Sequence, residues 1–383
     1  MWKRSYLGVA YYILRFSLYL RILCEIGLAQ ADETLLLPSK DIDTDIFLDS
    51  YSAYNRYTIN EKKVNSTVLI YVTPWNKRGF EISKTFVAKF DIISPVWFQV
   101  LERKKAYTVT GIPNIDTEWM TKLKISNSEA KIVPRFIFEA WKAEHFVETM
   151  SEPKNADACI TNIVRVLNNH NFDGAVIEIW SQFVGLHERE LVLFVQRICG
   201  AIHERNLLCI LVIPPPVYRD NIEGRFTRKH FDQLSTHVDY FSLMTYDYSP
   251  PSLPGPNSPI GWIRKCILLL VADGSSEAMK KRAQILTGFN FYGMKHVPQK
   301  RLGDAISGHE FVRLVNATRA PFSWDDTSEE HFIRFSDDSG YENLVYYPTA
   351  MSLARRISLV EELGTGIAIW EAGHGLDHFY SQL

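Results

Sequence analysis

The stretch FDGAVIEIW, Phe172 to Trp180, decides how the whole chain is read. It is short and apolar apart from Asp173 and Glu178, which is the composition of a parallel strand covered on both faces. Side chains alternate along an extended chain, so Val176, Glu178 and Trp180 are predicted to share one face and Ala175, Ile177 and Ile179 the other. If the second set packs against helices, the first points into a barrel. Trp180 is then expected at the strand's C-terminal mouth, where such barrels keep their chemistry.

Runs of the same kind recur on either side: STVLIYVTPW, DIISPVWFQV, AKIVPRFIF, LLCILVIPPP, VDYFSLMTYDY, AQILTGFNFYG and GTGIAIWEAG. Between them lie helical patterns. Leu191, Phe194, Val195, Ile198 and Ile202 form one stripe within Glu190 to Arg205; Leu353, Ile357, Val360 and Leu363 form another, stopped by Gly364. Alternating strands and helices over roughly 300 residues fit a closed barrel or an open doubly wound sheet. No G-x-G-x-x-G follows the first strand, which disfavours the dinucleotide-binding sheet. The expected fold is an α/β protein, a (β/α)8 TIM barrel. It has an insertion after the seventh strand, over about residues 294–341, where periodicity fades into HVPQKRLGDAISGHEF and SWDDTSEEHFIRFSDDSG.

Composition narrows the partners. The 383 residues include 42 basic and 44 acidic side chains, so no field of one sign is available to hold nucleic acid. The N-terminus places Lys3 and Arg4 before an apolar run and then Ala29-Gln-Ala31, the layout of a cleaved secretory signal over residues 1–31. Residues 32–65 are polar and weakly patterned, and the ordered domain is predicted to begin near Ser66 and run to residue 383. No span is expected in the mature chain. The sequons at Asn65 and Asn316 are candidate glycosylation sites and fit a secreted or lysosomal route. The cysteines show neither metal spacing nor a disulfide framework, so Cys159, Cys199, Cys209 and Cys266 are read as buried thiols.

These motifs are similar to those of the family 18 glycoside hydrolases, the chitinases and their relatives, whose fourth barrel strand carries D-G-x-D-x-D-x-E. Asp173 and Gly174 match, while the three inward carboxylates fall on Val176, Glu178 and Trp180. MTYDY at Met244 to Tyr248 resembles the sixth strand, GFNFYG at Gly288 to Gly293 the seventh, and Trp370 in GIAIWE the floor beneath the central sugar. The third strand departs from the pattern, with Arg135 to Glu139 where glycines are usual. The resemblance implies an oligosaccharide ligand of the N-acetylglucosamine type or related glycans, no metal and no cofactor, and the secretory and lysosomal route. It also implies a receptor of the scavenger type as a further partner.

The chemistry follows from the substitutions. Glycoside cleavage needs a carboxylic acid beside the scissile oxygen, and within the resemblance that acid is the residue at 180. An indole has no proton of suitable pKa, and losing a general acid forfeits about 10² to 10⁴ in rate. The chain is therefore expected to bind without cutting, through Trp370, Trp180, Glu178, Tyr246, Asp247, Trp75 and Glu139. Two alternatives stay open: a hydrolase with a displaced acid at Glu178, Asp247 or Glu139, and a secreted scaffold that docks to its receptor through the insertion. Glu178 also has a structural reading, as a carboxylate paired with a buried Arg, Tyr or amide.

Overall fold

The computed structural model describes residues 38–383 apart from 104, 105, 184, 186 and 273; the expected signal segment 1–31 and residues 32–37 lie outside the described residues. The strands are β1 (Val68–Val72), β2 (Ile92–Pro95), β3 (Phe98–Arg103), β4 (Ala106–Thr110), β5 (Lys131–Ile132), β6 (Arg135–Ile137), β7 (Gly174–Glu178) and β8 (Leu208–Ile213). They continue with β9 (Tyr240–Leu243), β10 (Ile285–Asn290), β11 (Gly293–Val297), β12 (Leu302–Ile306), β13 (Phe322–Asp325), β14 (Glu330–Ser336), β15 (Glu342–Tyr346) and β16 (Gly366–Trp370).

The barrel wall follows the order β3-β6-β7-β8-β9-β10-β16-β1-β2-β5, all parallel, with β4 added antiparallel to β3. β3 continues β2 and β6 continues β5, and because β2 pairs with β5 while β3 pairs with β6, the two broken strands close the circle. The breaks fall at Pro95 and Pro134, which have no N–H to donate to a neighbour. Inside, Leu69, Tyr71, Ile92, Val133, Val176, Ile210 and Leu286 belong to an apolar plug; the outward set, including Ala175, Ile177 and Ile179, joins the helices in the larger core. Val176 is thus apolar because it faces other apolar plug residues.

The helices follow the predicted stripes. Glu188–His203 buries Leu191, Phe194, Val195, Ile198 and Ile202. Ala350–Leu363 starts at a Thr349–Ser352 capping box and stops at Gly364, whose φ of 70° is left-handed. No helix among the described residues is long and apolar enough to cross a membrane.

After β10, residues 293–346 form a separate five-stranded antiparallel sheet, β12-β11-β15-β14-β13, together with the helix Gly308–Thr318. The ordered chain begins well before Ser66. Thr44–Ser50 is a helix, capped by the Asp43 side chain, whose Phe47 packs on Phe311 and Phe322 of the inserted unit. A single aromatic anchor in a polar segment leaves little periodicity to read. Asn65 and Asn316 are both exposed.

The cysteine expectation needs correcting. Cys199 and Cys209 are joined in a disulfide with their Cα atoms 5.3 Å apart. The helix Glu188–His203 turns directly back onto β8, and that reversal brings two residues ten positions apart within bonding reach. Cys159 and Cys266 are free and buried, their thiols pushed up to about 12 by burial.

Candidate carbohydrate-binding cleft

Residues at the C-terminal ends of the strands converge on one mouth. β1 supplies Tyr71 and, just beyond, Trp75; β7 supplies Glu178; Met244, Tyr246 and Asp247 follow β9; Tyr292 follows β10; and Trp370 closes β16, while Arg135, at the start of β6 and level with Val176, reaches them from below. The floor is built on the plug, because Tyr71, Met244 and Trp370 all belong to or pack against it. Tyr71 donates to Ser242 Oγ at 2.8 Å, and its ring lies 5.2 Å from that of Trp370 at 58°. Burial raises the hydroxyl pKa of Tyr71 and Tyr246, so both stay protonated.

Glu178 points inward, as alternation requires, and takes the structural role open to it. Arg135 Nε donates to its Oε2 at 2.5 Å, and the two side chains are only 10% and 15% exposed. The Arg135 guanidinium also lies over the Trp370 ring, 5.6 Å from its centroid. A desolvated charge needs a partner of this kind, and each residue supplies the other's.

Trp180 departs from the expectation. Ile179 has φ −128° and ψ −32°, outside the extended region, and Trp180 opens a 3₁₀ turn to Gln182. Alternation holds only while the chain stays extended, and here it stops at Glu178. The indole is 1% exposed and packs against Phe226 and His230, with ring centroids 4.9 and 5.0 Å away. Trp180 is therefore part of the barrel's outer core and offers no surface to a sugar.

The other candidates divide by exposure and partner. Trp75 is 68% exposed. Its loop is pinned from below by Glu371, which is fully buried and accepts from Thr73 Oγ1 at 3.1 Å and Asn76 Nδ2 at 2.8 Å. Glu371 thus braces the mouth and is not solvated. Tyr246 is half-buried in the floor. Asp247 sits on the rim with left-handed φ of 59°, held by its N–H to Asn257 Oδ1 at 2.7 Å and by the Tyr292 hydroxyl, which donates to its carboxylate. Although the residue as a whole is exposed, desolvation of the carboxyl raises its pKa and the Tyr292 hydrogen bond opposes this. Glu139 is exposed beyond β6.

Asp173 lies at the opposite end of β7 from the cleft. It accepts from Lys124 Nζ at 2.9 Å and from the Ile132 N–H at 2.7 Å, fastening the barrel base. Gly174 is required by crowding, since a Cβ there would lie 2.3 Å from the Leu208 carbonyl oxygen. Of three further tryptophans, Trp97 is core, Trp141 is half-buried and donates to Val100 O at 2.8 Å, and Trp262 sits on the helix Ile260–Leu270 and donates to Val217 O at 2.7 Å. Tyr71, Tyr292 and Asn257 were not singled out from the sequence. The period of two in YVTPWN could have marked Tyr71; nothing local marks the others.

Comparison with known proteins agrees with this geometry. The profile of the glycosyl hydrolases family 18 matches residues 51–375. Two Bacillus subtilis relatives are the putative sporulation-specific glycosylase YdhD, 21% identical over 65% of this chain and 57% of its own length, and the cortical fragment-lytic enzyme, 26% identical over 39% and 35%. The matched stretches thus span little more than half of one relative and about a third of the other. Among solved structures, a chitinase from Chromobacterium violaceum superposes with a TM-score of 0.70 at 18% identity, covering 83% of this chain and 97% of that one. The Bacillus megaterium spore cortex-lytic enzyme SleL gives 0.68 at 19%, covering 84% and 73%. The Cycas revoluta family 18 chitinase in complex with (GlcNAc)3 gives 0.67 at 13%, covering 82% and 98%. The barrel, its inserted sheet and the extent of the profile match lead to one assignment: the chain belongs to glycosyl hydrolase family 18.

Proposed function

We propose that this chain is a chitinase-like lectin that holds oligosaccharides, of the N-acetylglucosamine type or related glycans, in the cleft and does not cleave them. The observation that carries the reading is at position 180, to which the family's motif assigns the acid and where a fully buried indole packs behind the wall instead. Three carboxylates of the mouth are already engaged: Glu178 by Arg135, Glu371 by Thr73 and Asn76, and Asp247 by Tyr292. Grip and cleavage draw on separable groups, so a cleft can keep the first without the second.

Calorimetry with chitooligosaccharides tests this. An aromatic face can cover on the order of 100 Å² of sugar, worth about 2–3 kcal/mol before ordering costs. Removing both mouth aromatics, Trp75→Ala with Trp370→Ala, is expected to weaken binding roughly thirtyfold or more. No reducing ends should appear on prolonged incubation. Unchanged affinity with the fold intact would remove the cleft as the site.

A second reading, a hydrolase with a displaced acid, is favoured by one observation. Asp247 stands on the rim of the mouth, and desolvation of its carboxyl raises the pKa toward the protonated form an acid needs. Turnover of a chitobioside that Asp247→Asn abolishes would establish it.

The route and partners belong to the same proposal. Within the family, YVTPWN, PRFIFEAW, DGAVIEIW, GPNSP and IWEAGHGLDHFY look most like chitinase domain-containing protein 1, a likeness that implies secretion, lysosomal delivery and a scavenger-type receptor. The Cys199–Cys209 disulfide fits an oxidising compartment.

A further inference from the structure

Three side chains share the centre of the floor, and their arrangement restricts what can enter. Trp370 is the ring on which a pyranose would stack. Tyr71 lies against it at 5.2 Å, and the Arg135 guanidinium lies over it at 5.6 Å. Stacked ring contacts span about 4.5–7 Å between centroids, and the Arg135 guanidinium sits over the Trp370 ring within that distance.

A surface arginine would swing aside, but this one is held. Its Nε is bonded to Glu178 Oε2, and the residues enter from adjacent strands whose register places Arg135 beside Val176 and Ile137 beside Glu178. With side chains 10% and 15% exposed, separating the pair would leave two charges in a poorly solvated site, which costs more than a sugar contact returns.

The rim beside it has the opposite character. β1 is hydrogen-bonded directly to β16, so the loop that carries Trp75 leaves the barrel from the strand beside the one that ends in Trp370. The Trp75 ring is 68% exposed, while its loop is tied to the buried Glu371. An exposed aromatic on a fixed backbone loses little freedom when a ligand settles on it.

We propose that the Arg135–Glu178 ion pair is a fixed stopper on the central platform, which excludes a sugar ring from Trp370 and shifts the oligosaccharide outward onto Trp75. This rests on the cleft-binding reading and specifies where in the cleft the ligand lies. The stopper also fits a cleft that does not cut, because cleavage needs a sugar seated at the centre of the mouth.

The test is calorimetry with chitotetraose on the full chain. In the otherwise unaltered protein, Trp75→Ala should lower affinity at least tenfold, and Trp370→Ala should change it less than twofold. Removing both charges together, Arg135→Ala with Glu178→Gln, avoids stranding either. That variant should gain at least tenfold in affinity and become dependent on Trp370. Should it fail to fold, the two tryptophan variants still decide. Trp370→Ala costing as much as Trp75→Ala, or a folded charge-free variant with no gain, overturns the stopper while leaving the cleft reading in place. Binding seen only after the charges are removed supports the stopper and ends the reading that the natural chain is a lectin. No binding by either form overturns both.

Discussion

Replacing Arg356 with methionine is expected to cost about 3–5 kcal/mol of stability, read as a lowered urea midpoint with an unchanged slope. Arg356 and Glu330 have side chains only 1% and 3% exposed and are bonded directly to each other. The guanidinium also donates to Ser258 O at 3.1 Å and Asn290 Oδ1 at 3.4 Å, and Glu330 accepts from the Asn257 N–H at 2.8 Å and the Ser258 N–H at 3.1 Å. Removing one ion strands the other with no water to replace it. Exchanging both, Arg356→Met with Glu330→Leu, should recover a substantial part of the loss, because two apolar groups leave no orphaned charge. If the double exchange is as damaging as the two single ones summed, the charges are not coupled as described.

The same pair reaches the cleft. Asn257, whose N–H is held by Glu330, accepts the Asp247 N–H. Glu330 belongs to β14 in the inserted sheet, so that unit holds the rim residue in its left-handed conformation.

Acid should destabilise the fold well above the usual carboxylate range. His331 and His378 are buried, and burial lowers both from 6.5 to about 4. His331 is already satisfied as a neutral ring, its nitrogens meeting Thr349 Oγ1 at 2.8 Å and Lys40 O at 2.9 Å. With the folded value below the unfolded one, the unfolded chain takes up protons first as pH falls. Their stabilisation is complete above about pH 6.5 and is lost progressively down to about pH 4, at up to about 3 kcal/mol for each histidine. The urea midpoint should be flat from pH 8 to 7 and then fall, and His331→Gln should flatten part of the fall. A midpoint unchanged between about pH 7 and 4.5 would contradict this account. A chain delivered to a lysosome would work inside that window.

The barrel was legible because buried parallel strands are contiguous apolar runs, and its helices because their stripes recur at spacings of three and four. Glu178's inward direction followed from alternation, and its need for a partner from electrostatics. Which partner it took did not, since Arg135 lies 43 positions away and meets it only through strand pairing. Trp180 was misplaced because alternation was carried two residues past the last extended one. The Cys199–Cys209 bond, the Phe47 anchor and the Arg356–Glu330 pair were invisible for a common reason: each is made by tertiary proximity and leaves no local pattern.

The turn at Ile179 bears on how this chain could change. An acid written back at position 180 would not face the mouth but would lodge between Phe226 and His230, deprived of solvent and remote from any ligand. Recovering a hydrolase by that route therefore demands rerouted backbone as well as a new side chain. A one-codon reversal leads downhill in stability without arriving at chemistry.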